Sequence, residues 1–261
     1  MIYQKKVANI AYCFLIAICY VVLIKVIGSA LYSFKFSTDI LSFAADISSA
    51  LVVLIIMLCL HRQNILRGNI KGLAKGFSAG GFLCGYIIIM LLSFFMMDFS
   101  VKNLQPPIHI LLFTLSMVLT GFSEEILFRG IIFNILGDCF GKKSRFAIYG
   151  TTALSSFIFG FMHLSNVFSG VSFGGALIQT ISAFAVGCYF NAIYIRCGNI
   201  WSIVILHSLT NFVSLLNVGF LGNGDIASSI SEYTPIRLAS VFLYLGLTVF
   251  LLRASKMKYL E

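Results

Sequence analysis

GFSEEILFRG, Gly121 to Gly130, sets Glu124, Glu125 and Arg129 inside an apolar run that begins near Ile108 and ends near Leu136. Only 10% of the chain is charged, so three such residues in one short stretch need a reason. A charge at mid-bilayer costs about 2.5–3.5 kcal/mol, so three unpaired ones would cost roughly 8–10 kcal/mol. The run is a stable membrane helix only if these groups face the protein interior, pair, or lose their charge. Glu125 and Arg129 are i and i+4, in the order that favours an ion pair. Glu124 sits about 100° round the helix from Glu125. Its own i+4 neighbour is Phe128, which offers no partner. The spacing thus separates a compensated carboxylate from an uncompensated one. An uncompensated carboxyl away from water can take up and return a proton. The alternative is a Glu–Arg brace that only holds helices together, with Glu124 protonated and inert.

Composition sets the solvent. Of 261 residues, 59% are hydrophobic, and the mean hydropathy is +0.99. Soluble domains hold roughly 45–50% apolar residues. Apolar runs near the length of a membrane span recur from end to end. The reading is all-α: one polytopic transmembrane helical bundle over 1–261, a single integral-membrane domain. The net charge of +9 comes from basic residues in short loops. They form no continuous basic face, so nucleic acid is not an expected partner. Seven cysteines, five of them within apolar runs and none in a C-x-x-C, argue against a disulfide framework.

Eight spans are expected, at about 7–30, 40–60, 76–97, 108–136, 147–165, 172–195, 200–217 and 238–253. Breaks between them include Ser165 to Gly170 and Asn217 to Pro235. Thirteen basic residues fall on one side: Lys5, Lys6, Arg62, Arg67, Lys71, Lys75, Lys142, Lys143, Arg145, Arg196, Arg253, Lys256 and Lys258. Three fall on the other: Lys35, Lys102 and Arg237. Basic loops stay in the cytoplasm, so both termini are expected there. Asp46 reads as lying close enough to a helix end to reach the interface, and His109 as interfacial.

Two histidines read differently. His163 lies in FGFMHLSN toward the end of the fifth span, sharing a face with Phe159. His207 and Asn211, in HSLTN, are i and i+4 on the seventh span and project from one face. A lone histidine of this kind is usually a packing residue. Two histidines, an asparagine and a glutamate pair on three spans can converge at one interior point of a bundle.

These residues resemble the CAAX protease and bacteriocin-processing family, the Abi or type II prenyl-endopeptidase group. EEILFR is similar to its E-E-x-x-x-R motif, Phe159 to His163 to its F-x-x-x-H, and His207 to Asn211 to its H-x-x-x-N. The resemblance covers about 108–217, the expected catalytic core. It implies an eight-helix, glutamate-type intramembrane endopeptidase acting on a membrane-associated protein or peptide. By that analogy Glu124 is the general base, His163 helps activate the water, and His207 with Asn211 forms an oxyanion hole. Glu125, Arg129 and Phe159 support the site. Bacterial relatives are linked to bacteriocin maturation, self-immunity or regulation of membrane partners. Short loops point to a bacterial plasma membrane and away from a prenylated substrate.

The chemistry holds without the analogy. A carboxylate can take a proton from water and return it to the leaving nitrogen. A histidine and an amide can donate to the oxyanion, worth about 2.7–4 kcal/mol per donor. No serine or cysteine is placed with a base, so no covalent acyl-enzyme is expected; no cofactor is expected either. Three alternatives stay open at this stage. Glu124, His163 and His207 could ligate a divalent metal with one open position. The chain could be a non-catalytic membrane partner or immunity protein. Buried Glu and His could also form a transporter's proton relay.

Overall fold

In lipid every backbone polar group must be satisfied within the chain, so apolar runs of this length become helices. The computed structural model describes residues 2–99, 103–141 and 144–253, with side chains from residue 6 and without those of 97 and 98. It is helical throughout, with no strand among the described residues. The helices are α1 (Ile2–Leu31), α2 (Thr38–Cys59), α3 (Ile70–Ala79), α4 (Gly81–Ser93), α5 (Pro107–Phe140), α6 (Arg145–Met162) and α7 (Phe173–Cys197). They are followed by α8 (Ile200–Ser214), α9 (Leu216–Leu221), α10 (Ile226–Ser231) and α11 (Ala239–Leu251).

Each of the eight expected apolar segments contains a helix, but they are unequal. Five are long and apolar enough to cross a membrane: Lys6–Leu31, α2, α5, Arg145–Ser169 and α7. This makes the chain an integral membrane protein. The expected third span starts earlier than 76 and is broken: α3 and the helix after it meet at a bend of 72°. The bend falls at Gly80, between two helices with no residue to spare, and sharp kinks favour glycine. α8 is 15 residues long. That is about 22 Å of helix, short of the roughly 30 Å of hydrocarbon. The expected break at 165–170 is a 3₁₀ helix, His163–Ser169, and the polar stretch after 217 folds as α9 and α10.

Side-chain caps and hydrogen bonds define two ends. Asn69, Ser172 and Asn199 accept the first free amides of α3, α7 and α8. At one end Arg62 bonds Asp138 at 2.9 Å, the Trp201 indole donates to the Leu66 carbonyl, and Asn199 donates to the Asn69 carbonyl. The Tyr149 hydroxyl donates to the Leu252 carbonyl at the same end. At the other, Lys25 donates to Ser169, His109 pairs with Asp39 at 2.8 Å, and Ser172 bonds Ser231. His109 lies in the first turn of α5, where it pairs with Asp39 in the first turn of the neighbouring α2. Of the residues behind the expected orientation, Lys102, Lys142, Lys143, Lys256 and Lys258 lie outside the described residues, as does the side chain of Lys5.

Within the bundle, α5 packs between α2 and α8, while α7 packs on α6, α11 and α3. Ile131, Leu136, Ile158, Ile193, Ile200 and Ile203 are fully buried in the core, beside buried polar side chains that include Glu125, Arg129, Ser155, Ser156 and Asn191. Large apolar side chains such as Leu15, Val22, Ile88 and Ile89 are exposed on the outer faces, as lipid contact requires.

Candidate active site

The glutamate helix carries a local irregularity. From Ile126 to Ile132 its backbone widens to a π-turn, and the Phe133 amide bonds to the Phe128 carbonyl. Such turns leave carbonyls that need other donors. Asn134 Nδ2 donates to the carbonyls of Arg129 and Gly130, and Ser155 Oγ donates to that of Phe128. The widened turn begins immediately after Glu125, where the chain carries its charges.

Glu125 and Arg129 are paired as the spacing predicts: Arg129 Nη1 donates to Glu125 Oε1 at 2.9 Å, and both side chains are 0% exposed. The rest of the guanidinium faces aromatic rings rather than oxygen. Its carbon lies 4.3 Å from the centroid of Phe159 and 5.4 Å from that of Phe190. Cation–π attraction is strongest in such a desolvated place. Nε and Nη2 have no hydrogen-bond partner among the described residues.

Helical spacing alone left Glu124 without a partner, and here the structure differs. His207 of α8 stands between the two glutamates. Its Nδ1 is 2.6 Å from Glu125 Oε1, and its Nε2 is 3.5 Å from Glu124 Oε2. A carboxylate paired with arginine can only accept, so Nδ1 carries a proton and Nε2 faces Glu124. Phe190 stacks on the imidazole at 5.1 Å. The Glu124 side chain is 23% exposed, against 9% for His207. No intrahelical period reveals a partner that sits 83 residues away on another helix.

His163 is fixed in the same manner. Its Nδ1 is 3.0 Å from the Phe159 carbonyl, which must accept. In the neutral ring Nε2 is then an acceptor. The Phe159 ring lies edge-on to His163 at 4.8 Å and to His207 at 6.2 Å, so one side chain braces Arg129 and both histidines.

Glu124, Phe159, His163, His207 and Asn211 all line one cavity of about 1270 Å³. Its walls come from both halves of the chain. Asn211 is half-buried there, and its carboxamide has no hydrogen bond among the described residues. Glu125 and Arg129 stand behind the wall. His163, just past the end of α6, and His207, midway along α8, meet at this cavity.

Asp46 corrects the sequence reading. It does not reach the interface from a helix end but lines the cavity, with Thr120 Oγ1 at 3.5 Å from its Oδ1. A carboxylate inside an apolar run was the available signal. Lys25 and Arg237 also line the cavity and were not singled out.

Among the described residues no group of three or more His, Cys, Asp or Glu is arranged to hold a metal. Glu124, His163 and His207 form no such group as placed, and no step below passes through a metal.

Gly121 sets the approach of α5 to α8. A Cβ there would collide with Ser208 Oγ and come within 2.9 Å of the Ser208 amide nitrogen, next to His207. Overpacking of this kind costs about 1–3 kcal/mol. Gly121→Ala is therefore expected to lower the melting temperature in detergent and reduce activity per folded molecule. An unchanged melting temperature would mean that the contact does not set the helix spacing.

Residues 105–213 match the family model described as type II CAAX prenyl endopeptidase, Rce1-like. The match spans somewhat under half of the chain and agrees with the motif resemblance. The match takes in all of the paired glutamates, both histidines and Asn211. No curated protein matches the chain. The family is one of proteases, and the match supports a peptidase in general terms.

Proposed function

We propose that the chain is an intramembrane endopeptidase in which Glu124 activates water against a peptide bond of a membrane-associated protein or peptide. The observation that carries this reading is the convergence of Glu124, His163, His207 and Asn211 on one cavity, with His207 between the two glutamates. Charge balance suggests the resting state. Glu125 and Arg129 cancel, so an ionised Glu124 beside a protonated His207 leaves the cluster neutral.

The steps then balance. Water donates one hydrogen bond to His163 Nε2 and gives its other proton to Glu124. The hydroxide oxygen bonds to the carbonyl carbon, and the C=O π pair moves onto oxygen. As Glu124 loses its charge, the His207 Nε2–H turns to the new oxyanion, so the imidazolium always faces one negative charge. The Asn211 NH₂ is the second donor, adding no charge to the interior. When the C–N bond breaks, its electron pair stays on nitrogen, which receives the proton held by Glu124.

The short loops suggest a bacterial plasma membrane, and the basic-residue bias supports cytoplasmic termini. The family resemblance suggests bacteriocin processing or self-immunity as the setting. The test compares cleaved termini in the membrane proteome of cells carrying the chain, lacking it, or carrying Glu124→Ala. Termini unique to the wild type are expected. Identical sets in all three would favour a non-catalytic membrane partner.

Asn211 separates chemistry from structure. A donor used only after water attacks affects the rate and hardly affects binding. Asn211→Ala is expected to lower kcat by roughly 10²–10³ with little change in KM, read on detergent-purified protein normalised to folded molecules. Near-normal kcat with a large rise in KM would move Asn211 to substrate binding.

A further inference from the structure

The cavity is one-sided. Its lining comes from α1 beyond Tyr20, from α2 up to Ser49, from the middle of α5, and from α6 and the short helix after Phe159. It continues over Tyr86 of α4, α7 up to Val186, α8 from His207 onward, α10, and the chain from Tyr233 to Tyr244. In antiparallel neighbours these halves lie toward the same end, the one where Lys25 meets Ser169 and Ser172 meets Ser231. No residue of 129–158 or 187–206 lines it. Within those stretches Leu136, Ile158, Ile193, Ile200 and Ile203 are fully buried and pack the other end beneath Glu124 and His207.

The sealed end is also the basic end. Arg62, Arg67, Lys71, Lys75, Arg145, Arg196 and Arg253 sit there, whereas Lys25 and Arg237 are the basic residues that line the cavity. Arg67 stands at the junction tied by the Trp201–Leu66 and Asn199–Asn69 bonds. Loops rich in Lys and Arg remain cytoplasmic.

From these two asymmetries we infer that the cavity opens to the extracytoplasmic face and is closed to the cytoplasm. Its substrates are therefore peptide segments that emerge on the extracytoplasmic side of the membrane. A lipid-modified tail lying in the cytoplasm has no path to Glu124. Only the word substrate rests on the peptidase reading; the route itself is geometric.

The test is single-cysteine labelling of the full chain after replacement of its seven native cysteines. Ser169→Cys marks the mouth, Ser214→Cys the cavity wall about one turn beyond Asn211, and Arg67→Cys the sealed end; all three positions are exposed. A membrane-impermeant maleimide is applied to intact cells and to inside-out vesicles, with denatured protein as the control for thiol reactivity. Ser169→Cys and Ser214→Cys are expected to label in intact cells, and Arg67→Cys only in inside-out vesicles. Cavity cysteines that label only from the cytoplasmic side would overturn the inference. So would cavity cysteines that react only after denaturation. Labelling needs no turnover and should be the same in Glu124→Gln. The expected pattern without any cleaved protein would defeat the peptidase reading and leave the route standing.

Discussion

Glu124→Gln is expected to abolish cleavage while the protein still folds. The amide keeps the size of the carboxyl and remains in contact with His207, but it cannot take a proton from water. A positioned general base contributes about 10²–10⁴ in rate. The loss should be at least that large, because the His207 imidazolium also loses the charge it faces before attack. Glu124 is the partly exposed member of the pair, and His207 can release its Nε2 proton, so the replacement leaves no buried charge stranded. Expression and melting temperature should stay close to wild type. Cleavage by purified Glu124→Gln would remove Glu124 from the role of base.

Arg129→Met is expected to act in the opposite sense, on stability first. Glu125 and Arg129 are both fully buried, and removing one partner of such a pair costs about 3–5 kcal/mol. Methionine would fill part of the space against Phe159 and Phe190 but leaves the Glu125 carboxylate uncompensated. Low yield and a low melting temperature should follow. Pairing it with Glu125→Gln removes the stranded charge. The double variant should therefore regain much of the stability, since a neutral pair of similar volume costs far less to bury. Cleavage should remain low, because the glutamine oxygen still accepts from His207 Nδ1 but no longer supports an imidazolium. Thermal melts and cleavage normalised to folded protein separate the two effects. A melting temperature for Arg129→Met equal to wild type would show that the pair is not what holds α5 in place.

Much of this protein is legible along the chain because bilayer physics is local. A run of apolar residues must close its own hydrogen bonds, so helices at 7–30, 40–60 and 172–195 follow from hydropathy alone. The Glu125–Arg129 pair is likewise set by one turn of helix. Two kinds of feature escape such reading. The bend at Gly80 and the short α8 depend on how neighbours pack, since glycine and a 15-residue apolar run fit several outcomes. Asp46 looked peripheral because its environment is made by α5 and α1, which no stretch of α2 announces.

The sequence by itself determined that this is a helical membrane protein, that one glutamate is compensated within its helix, and that two histidines and an asparagine stand on apolar faces. Those facts follow from interactions within about four residues. Only the tertiary structure decided that His207 is wedged between Glu124 and Glu125, that Phe159 braces Arg129 and both histidines, and that the cavity opens at one end. Each of these joins residues dozens of positions apart, through helix crossings set by side-chain packing such as that of Gly121 on Ser208. Spacing along one helix carries no information about which face of another will meet it.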